Sequence, residues 1–224
     1  MPDIEQLCKL HELPETELLN LIPQAKVEET LAGKVTWNVL TDKHELLDTC
    51  IPTYNQGVAA DISMRYLGKP PEQHPLHQCW TRFGQTRHLA NKLGYHHNQI
   101  AIHGTYRREP SVILHLAAVF GRTLHLSDIY LMNPHKRSER PLDDIHPHEG
   151  LHNGIFDQIL RSLNEFGRRH GYLRLAGYAC DDTRLAIFQR RGWGLDQRDP
   201  ALLARGLGNR LQIPICKQIA CDRS

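Results

Sequence analysis

Two β-rich segments, Thr123–Met132 (TLHLSDIYLM) and Tyr172–Cys180 (YLRLAGYAC), flank a stretch whose apolar residues Ile155, Phe156, Ile159, Leu160, Leu163 and Phe166 fall on one helical face. Asp157 in its first turn, and Arg168, Arg169 and His170 at its end before Gly171, complement a helix dipole. A strand, an amphipathic helix and a second strand bury that face only if the helix lies over the sheet, which makes the two strands parallel through a right-handed crossover. The chain therefore carries a mixed α/β sheet.

The neighbouring segments extend the sheet. Gln99–His103 is short and strand-like, and Ser111–Phe120 (SVILHLAAVF) turns through Gly121-Arg122 into Thr123–Met132 as a hairpin. About twenty polar residues with three prolines, Asn133–Asn153, separate that hairpin from the amphipathic helix. After Tyr172–Cys180, Asp181 or Asp182 caps a short helix, Thr183–Arg191, closed by Gly192. Arg210–Ile219 reads as a final strand, with Pro214 favouring an edge or a bulge. Upstream, Asp3 caps a segment with Ile4, Leu7 and Cys8, a second helix starts at Leu13-Pro14-Glu15 and ends at Pro23, and Lys34–Leu40 is a candidate first strand. From Asp42 to about Tyr95 short helical stretches are broken by prolines and glycines, and no boundary is placed there. The expected organisation is an N-terminal helical extension, residues 1–33, on an α/β domain, residues 34–224.

Composition narrows the partners. In 224 residues, 40% hydrophobic and 23% charged residues describe a globular chain and exclude a disordered one. Lys and Arg exceed Asp and Glu by only two, so nucleic-acid binding has no support. No apolar run reaches the roughly 18 residues of a membrane span. Met1-Pro2-Asp3-Ile4-Glu5 lacks the basic and apolar segments of a secretory signal, so the cytoplasm is the expected location. The six cysteines, with no CxxC, read as reduced thiols.

In this order the elements resemble the GNAT acyltransferase superfamily over roughly residues 98–219. Leu126–Met132 looks like the family's fourth strand, and Gly154–Leu160 resembles its donor-binding turn. Tyr172–Cys180 fits the fifth strand, and Ile187–Trp193 (IFQRRGW) the segment ending in glycine and an aromatic. The resemblance implies a GNAT-like mixed central sheet flanked by helices, whose fourth and fifth strands splay at their C-terminal ends. It further implies an acyl-CoA donor, acetyl or longer and up to fatty acyl, or a carrier-protein thioester. Its pyrophosphate lies on the N-terminus of the helix at Asn153, Gly154, Ile155 and Phe156, where backbone N–H groups and a partial positive charge bind anions. The pantetheine arm lies along the exposed edges Tyr130, Leu131 and Met132, and Tyr178 to Cys180. The acceptor is an amine on a small molecule, peptide or protein, and an acyl carrier protein and a homodimer belong to the same reading.

The chain also departs from the family. Phe156 takes a small-residue position, where its ring would crowd a diphosphate, and Leu151 and His152 stand where a basic residue is usual. Phe188 replaces the tyrosine that commonly protonates the leaving thiolate. Ser127 replaces one half of an acidic pair whose other half is Asp128. Strict strand alternation puts Asp128 and Tyr130 on one face and His125 and Ser127 on the other, so either Asp128 or His125 is the candidate base. Asp128 also reads as a structural carboxylate accepting backbone N–H bonds, and His115 as a packing residue. Two other classes compete: a GNAT-like binding module without turnover, and a zinc-dependent hydrolase built on His148-Glu149-Gly150-Leu151-His152. Pro147, Gly150 and Gly154 argue against the helix that motif needs, and no metal is expected. The pairs His74/His77 near Cys79 and His96/His97 read as solvated loop histidines, and Trp37, Trp80 and Trp193 as core.

Overall fold

Residues 9–42, 45, 99–119, 122–131, 154–179, 182–209 and 212–219 are described in the computed structural model. Seven strands form one sheet: β1 (Thr36–Leu40), β2 (Gln99–Tyr106), β3 (Glu109–Val119), β4 (Thr123–Leu131), β5 (Arg174–Ala179), β6 (Gly194–Leu195) and β7 (Ile213–Gln218). Their order across the sheet is β1-β2-β3-β4-β5-β7-β6. Every neighbouring pair is antiparallel except β4 and β5. The parallel pair expected from the strand–helix–strand pattern is thus present, and the GNAT-like mixed sheet with it.

Alternation sorts the strand residues onto two faces. Ile100, Ile102, Val112, Leu114, Leu116, Leu124, Leu126, Leu175, Ile213 and Ile215 share one buried cluster with the helices above them. The long helix between β4 and β5, Ile155–Arg169, supplies Ile155, Ile159, Leu160, Leu163 and Phe166 to it. Each such side chain stabilises the fold by roughly 1.5–3 kcal/mol through removal from water, which is why this stripe governs where the helix lies. The opposite face carries a small cluster of Leu40, Ala101 and Ile113 with Tyr130 beside it.

A short 3-10 turn, Leu10–Glu12, precedes helices α1 (Glu15–Leu19) and α2 (Gln24–Leu31). Leu10, Leu18, Leu21, Val27 and Leu31 enter the main cluster, so this segment shares the core of the sheet. Glu17 ties α1 to the end of the long helix, here α3, accepting from His170 at 2.8 Å and pairing with Arg169 at 3.2 Å. The capped segment expected at Asp3–Cys8 lies outside the described residues, as do the segment from 46 to 98 and the loop from 132 to 153. The histidine pairs, Trp80 and the HExxH string fall in those stretches.

Three elements were not placed from sequence: α2, which follows the helix end expected at Pro23, and β6 and α5 (Pro200–Asn209), which follow α4 (Asp182–Gln189). Asp199 accepts from Leu202 N at 2.9 Å, and Pro200 opens the first turn, where its missing N–H costs nothing. That Asp-Pro pair was the available signal, masked by Gly206 and Gly208 inside the helix. Pro214 is not on an outer edge: β7 lies between β5 and β6, and the two-residue β6 ladder stops at Ile215, one residue short of it.

Candidate active site

The site begins where β4 and β5 stop bonding. Thr123–Leu126 pair with Arg174–Gly177, yet β4 continues to Leu131 and β5 to Ala179 without a further rung. At the last rung a Cβ on Gly177 would lie 3.1 Å from the Leu126 carbonyl oxygen, so glycine allows the close approach there. Immediately beyond, the β3–β4 register slips: Leu116 faces Leu126, while His115 faces Asp128. Ser127 is the extra residue of a β-bulge, and a bulge bends its strand and increases the local twist. The bulge therefore bends β4 where its ladder with β5 ends, and opens a fork across which no further rung joins the two strands among the described residues. Tyr130 and Leu131 lie on its β4 side and Tyr178 and Ala179 on its β5 side, whereas Met132 and Cys180 lie outside the described residues.

The bulge also overturns the alternation expected for β4. Ala117 faces His125 and Ile113 faces Tyr130 in the same ladder, so His125, Asp128 and Tyr130 share one face. Ser127 joins them, its Oγ 3.2 Å from His125 Nδ1. A one-residue insertion reverses the parity of everything beyond it, so the choice between a His125 face and an Asp128 face does not arise. His115, opposite Asp128, is fully buried and meets Gln99 Oε1 at 3.1 Å through Nε2, which supports its packing role.

The second part of the candidate site is the N-terminus of α3. Gly154, at φ 76°, is its cap residue, and no side-chain hydrogen bond caps the turn. The first intrahelical bond is Gln158 N to Gly154 O, so the amides of the first turn have no helical partner. A Cβ at Gly154 would lie 2.9 Å from Lys26 Nζ, which places an α2 ammonium over this turn. Asn153 lies outside the described residues. Ile155 is fully buried and anchors the turn, while the Phe156 ring packs on Phe188, with centroids 5.6 Å apart, and under the Arg191 guanidinium. Phe156 therefore has partners in α4 and beyond it, a placement the crowding argument did not anticipate. Asp157 pairs with Arg191, whose hydrogen bond and charge hold its carboxyl below the usual range.

On the His125 face, β5 and the segment entering α5 form a half-open pocket of about 170 Å³ whose lining includes His125, Gly177, Tyr178, Asp196, Arg198 and Leu202. The His125 and Tyr178 rings lie 5.5 Å apart. Burial raises the Tyr178 phenol above its ordinary pKa, and burial does the same to Tyr130. Asp196 is buried and grips Arg198 through the guanidinium and the Arg198 backbone N–H, the latter at 3.1 Å. That pairing lowers the Asp196 pKa and raises that of Arg198. Of this pocket the sequence marked His125 as a candidate base and Tyr178 as part of the pantetheine edge, whereas Lys26 at the α3 turn and Asp196 and Arg198 here carry no motif that singles them out.

Strand order, the single parallel pair, the fork and the crossover helix together define the GNAT fold. No family model and no curated protein matches this sequence. Solved structures similar to the chain include the PaiA N-acetyltransferase of Thermoplasma acidophilum in complex with coenzyme A, 11% identical, covering 82% of this chain and 99% of that one at TM-score 0.44. Tetrahymena GCN5 is 10% identical over 83% of this chain and 96% of its own, at TM-score 0.43. A GCN5-related N-acetyltransferase from Rhodopseudomonas palustris is 15% identical over 82% and 94%, at TM-score 0.42. The fold assignment rests on the topology, since these overlaps are loose. Among the described residues no helix is long and apolar enough to cross a membrane.

Proposed function

We propose that this chain is an N-acyltransferase that moves an acyl group from a thioester, acyl-CoA or an acyl carrier protein, to an amine. The observation that carries the reading is the fork opening beyond Leu126 and Gly177 beside the His125 face, and with it goes the uncapped N-terminus of α3. Unpaired strand backbone suits the amide-bearing arm of a pantetheine, and the first turn of α3 with Lys26 suits its phosphates. Residues 34–224 carry the reaction in this reading, and residues 1–33 contribute Lys26 to it.

His125 is the base that takes the proton from the attacking nitrogen. Its Nδ1 lies 3.2 Å from Ser127 Oγ, which holds the ring in place for that role. Asp128 shares the same face of the strand. A binding module without turnover is the second reading, favoured by the burial of Phe188 between Phe156 and Trp193, where no hydroxyl is offered.

Native mass spectrometry with acetyl-CoA and longer acyl-CoAs, followed by thiol release with mixed amines, separates the two. Turnover that falls about 10²–10⁴-fold in His125→Ala supports the enzyme and its base. Donor binding without thiol release supports the binding module, and neither binding nor release removes both.

A further inference from the structure

The turn between β2 and β3 holds two arginines where its backbone favours other residues. Tyr106 pairs with Glu109, so Arg107 and Arg108 are the central residues of a two-residue hairpin, and both stand in the left-handed region, at φ 51° and 66°. Such a turn favours Asn-Gly, because a Cβ is strained at positive φ. Both arginines are exposed, and neither makes an ion pair among the described residues. The Arg107 guanidinium lies 5.0 Å over the Tyr106 ring.

Their place in the fold gives them a use. β3 runs antiparallel to both of its neighbours, with Val112 opposite Leu131, so the turn projects from the end of the sheet at which β4 and β5 part. Arg108 precedes Val112 by four residues, which puts it about 13 Å beyond the last β3–β4 rung. α2 links this tip to the first turn of α3. Lys26, near one end of α2, reaches Gly154, and Gly33, just past the other end, packs on Tyr106, where a Cβ would meet Cε2 at 2.7 Å. The seven residues from Lys26 to Gly33 span about 10 Å.

The turn at Gly154 is itself furnished for one phosphate. Its ammonium is Lys26; the Arg191 guanidinium over Phe156 is paired with Asp157, and Leu151 and His152, just ahead in the sequence, bring no permanent charge. Coenzyme A carries a diphosphate and a ribose phosphate. A phosphopantetheine arm on a carrier protein is joined by a single phosphodiester, and the remaining recognition falls to the carrier's surface. Two guanidiniums without acidic partners at the mouth of the fork suit an acidic surface there.

We propose that the donor is a thioester on an acidic acyl carrier protein, and that Arg107 and Arg108 receive the carrier's acidic face while its arm passes Lys26 into the fork; the proposal rests on the acyl-transfer reading. The strained turn then has a functional reason. A two-residue loop holds both charges clear of the sheet with little freedom left to lose when the carrier docks.

The test uses the full chain, an acyl carrier protein loaded with octanoyl-phosphopantetheine, octanoyl-CoA, mixed amines, and phosphatidylglycerol vesicles. The informative variant combines Arg107→Asn with Arg108→Gly, which installs the residues the turn prefers and removes both charges. Its melting temperature is expected to rise, while its affinity for the loaded carrier falls about tenfold and depends less on salt. Coenzyme A, which does not reach the tip, should bind as before. Arg107→Lys with Arg108→Lys keeps the charge and should retain most carrier binding. In the unaltered protein, thiol release from the carrier should exceed that from octanoyl-CoA at equal concentration. Tip-dependent carrier binding without thiol release from either donor keeps the docking surface and defeats acyl transfer. Turnover of octanoyl-CoA, with carrier binding absent or unchanged in the Asn-Gly variant, keeps acyl transfer and overturns the docking surface. Tip-dependent binding to the vesicles without carrier binding also overturns it, in favour of a membrane. Absence of binding and turnover with every donor overturns both readings.

Discussion

Phe156, on the first turn of α3, and Phe188, near the end of α4, meet edge to face with ring centroids 5.6 Å apart at 75°. Phe188 then meets Trp193 at 5.1 Å. The two positions at which this chain departs most from the family resemblance are thus a contacting pair. A small residue at 156 would remove the ring on which Phe188 packs. We expect Phe188→Ala to lower stability by about 3–5 kcal/mol, as for buried aromatics generally, and Phe156→Ala by less because it is only half-buried. In urea unfolding, the double variant should show a coupling of about 0.5–1.5 kcal/mol. Additive losses would mean that the two rings are independent.

In the proposed donor reading, Lys26 supplies the basic residue that the turn at Gly154 lacks in its own sequence. An ammonium over the positive end of a helix is unfavourable by itself and becomes favourable when both share an anion. Lys26→Ala is therefore expected to leave the free protein as stable as before or slightly more so. The same change should weaken coenzyme A by about fivefold or more, the scale of one charge-assisted contact. Thermal unfolding with and without coenzyme A, at two salt concentrations, reads both signs. A variant destabilised without ligand, with unchanged ligand affinity, would assign Lys26 to packing.

Asp196 and Arg198 make the acid dependence of the cavity wall predictable. The carboxyl is lowered in the fold by its hydrogen bonds to Arg198, so the pair contributes stability above the unfolded carboxylate pKa, about 3.9. That contribution is lost as pH falls through the lower folded value. Asp157 with Arg191 has the same sign, but it is more exposed and contributes less. Asp196→Asn should cost about 1–2 kcal/mol at pH 7, and the gap to wild type should narrow as the pH falls below the unfolded carboxylate pKa and through the lowered folded value. A gap that does not narrow at all under acid would mean that the loss is steric.

Much of the sheet was legible because hydrophobic patterning is local: the stripe of α3 and the runs of β3, β4 and β5 each declare a buried face within ten or so residues. What escaped was register. The bulge at Ser127 is set by how β3 and β4 pair, which no periodicity along one strand reports, and it moved His125 onto the same face as Asp128. Lys26 escaped for the same reason, since it meets Gly154 from far off in the chain. Phe156 and Phe188 were legible as departures from the family but not as partners, because contact between two helices is a tertiary fact.

Ser127 offers the sharpest test of the site. Its hydroxyl meets His125 Nδ1 at 3.2 Å and so holds the orientation of the imidazole ring, as donor or acceptor according to the tautomer. Ser127→Ala keeps the bulge backbone and removes only that bond, so the fold should be unchanged while kcat falls about tenfold, a loss of the order of one hydrogen bond, with donor KM held. Ser127→Thr restores the hydroxyl and should recover most of the rate. His125→Ala should fall much further, by about 10²–10⁴, and should remove the limb of the kcat/KM pH profile that belongs to the base. Asp128→Asn separates the alternatives: if it, and not His125→Ala, abolishes that limb, the base is the carboxylate and Ser127 merely packs. Pre-steady-state thiol release on the four variants, with circular dichroism as the control for folding, decides between the two bases.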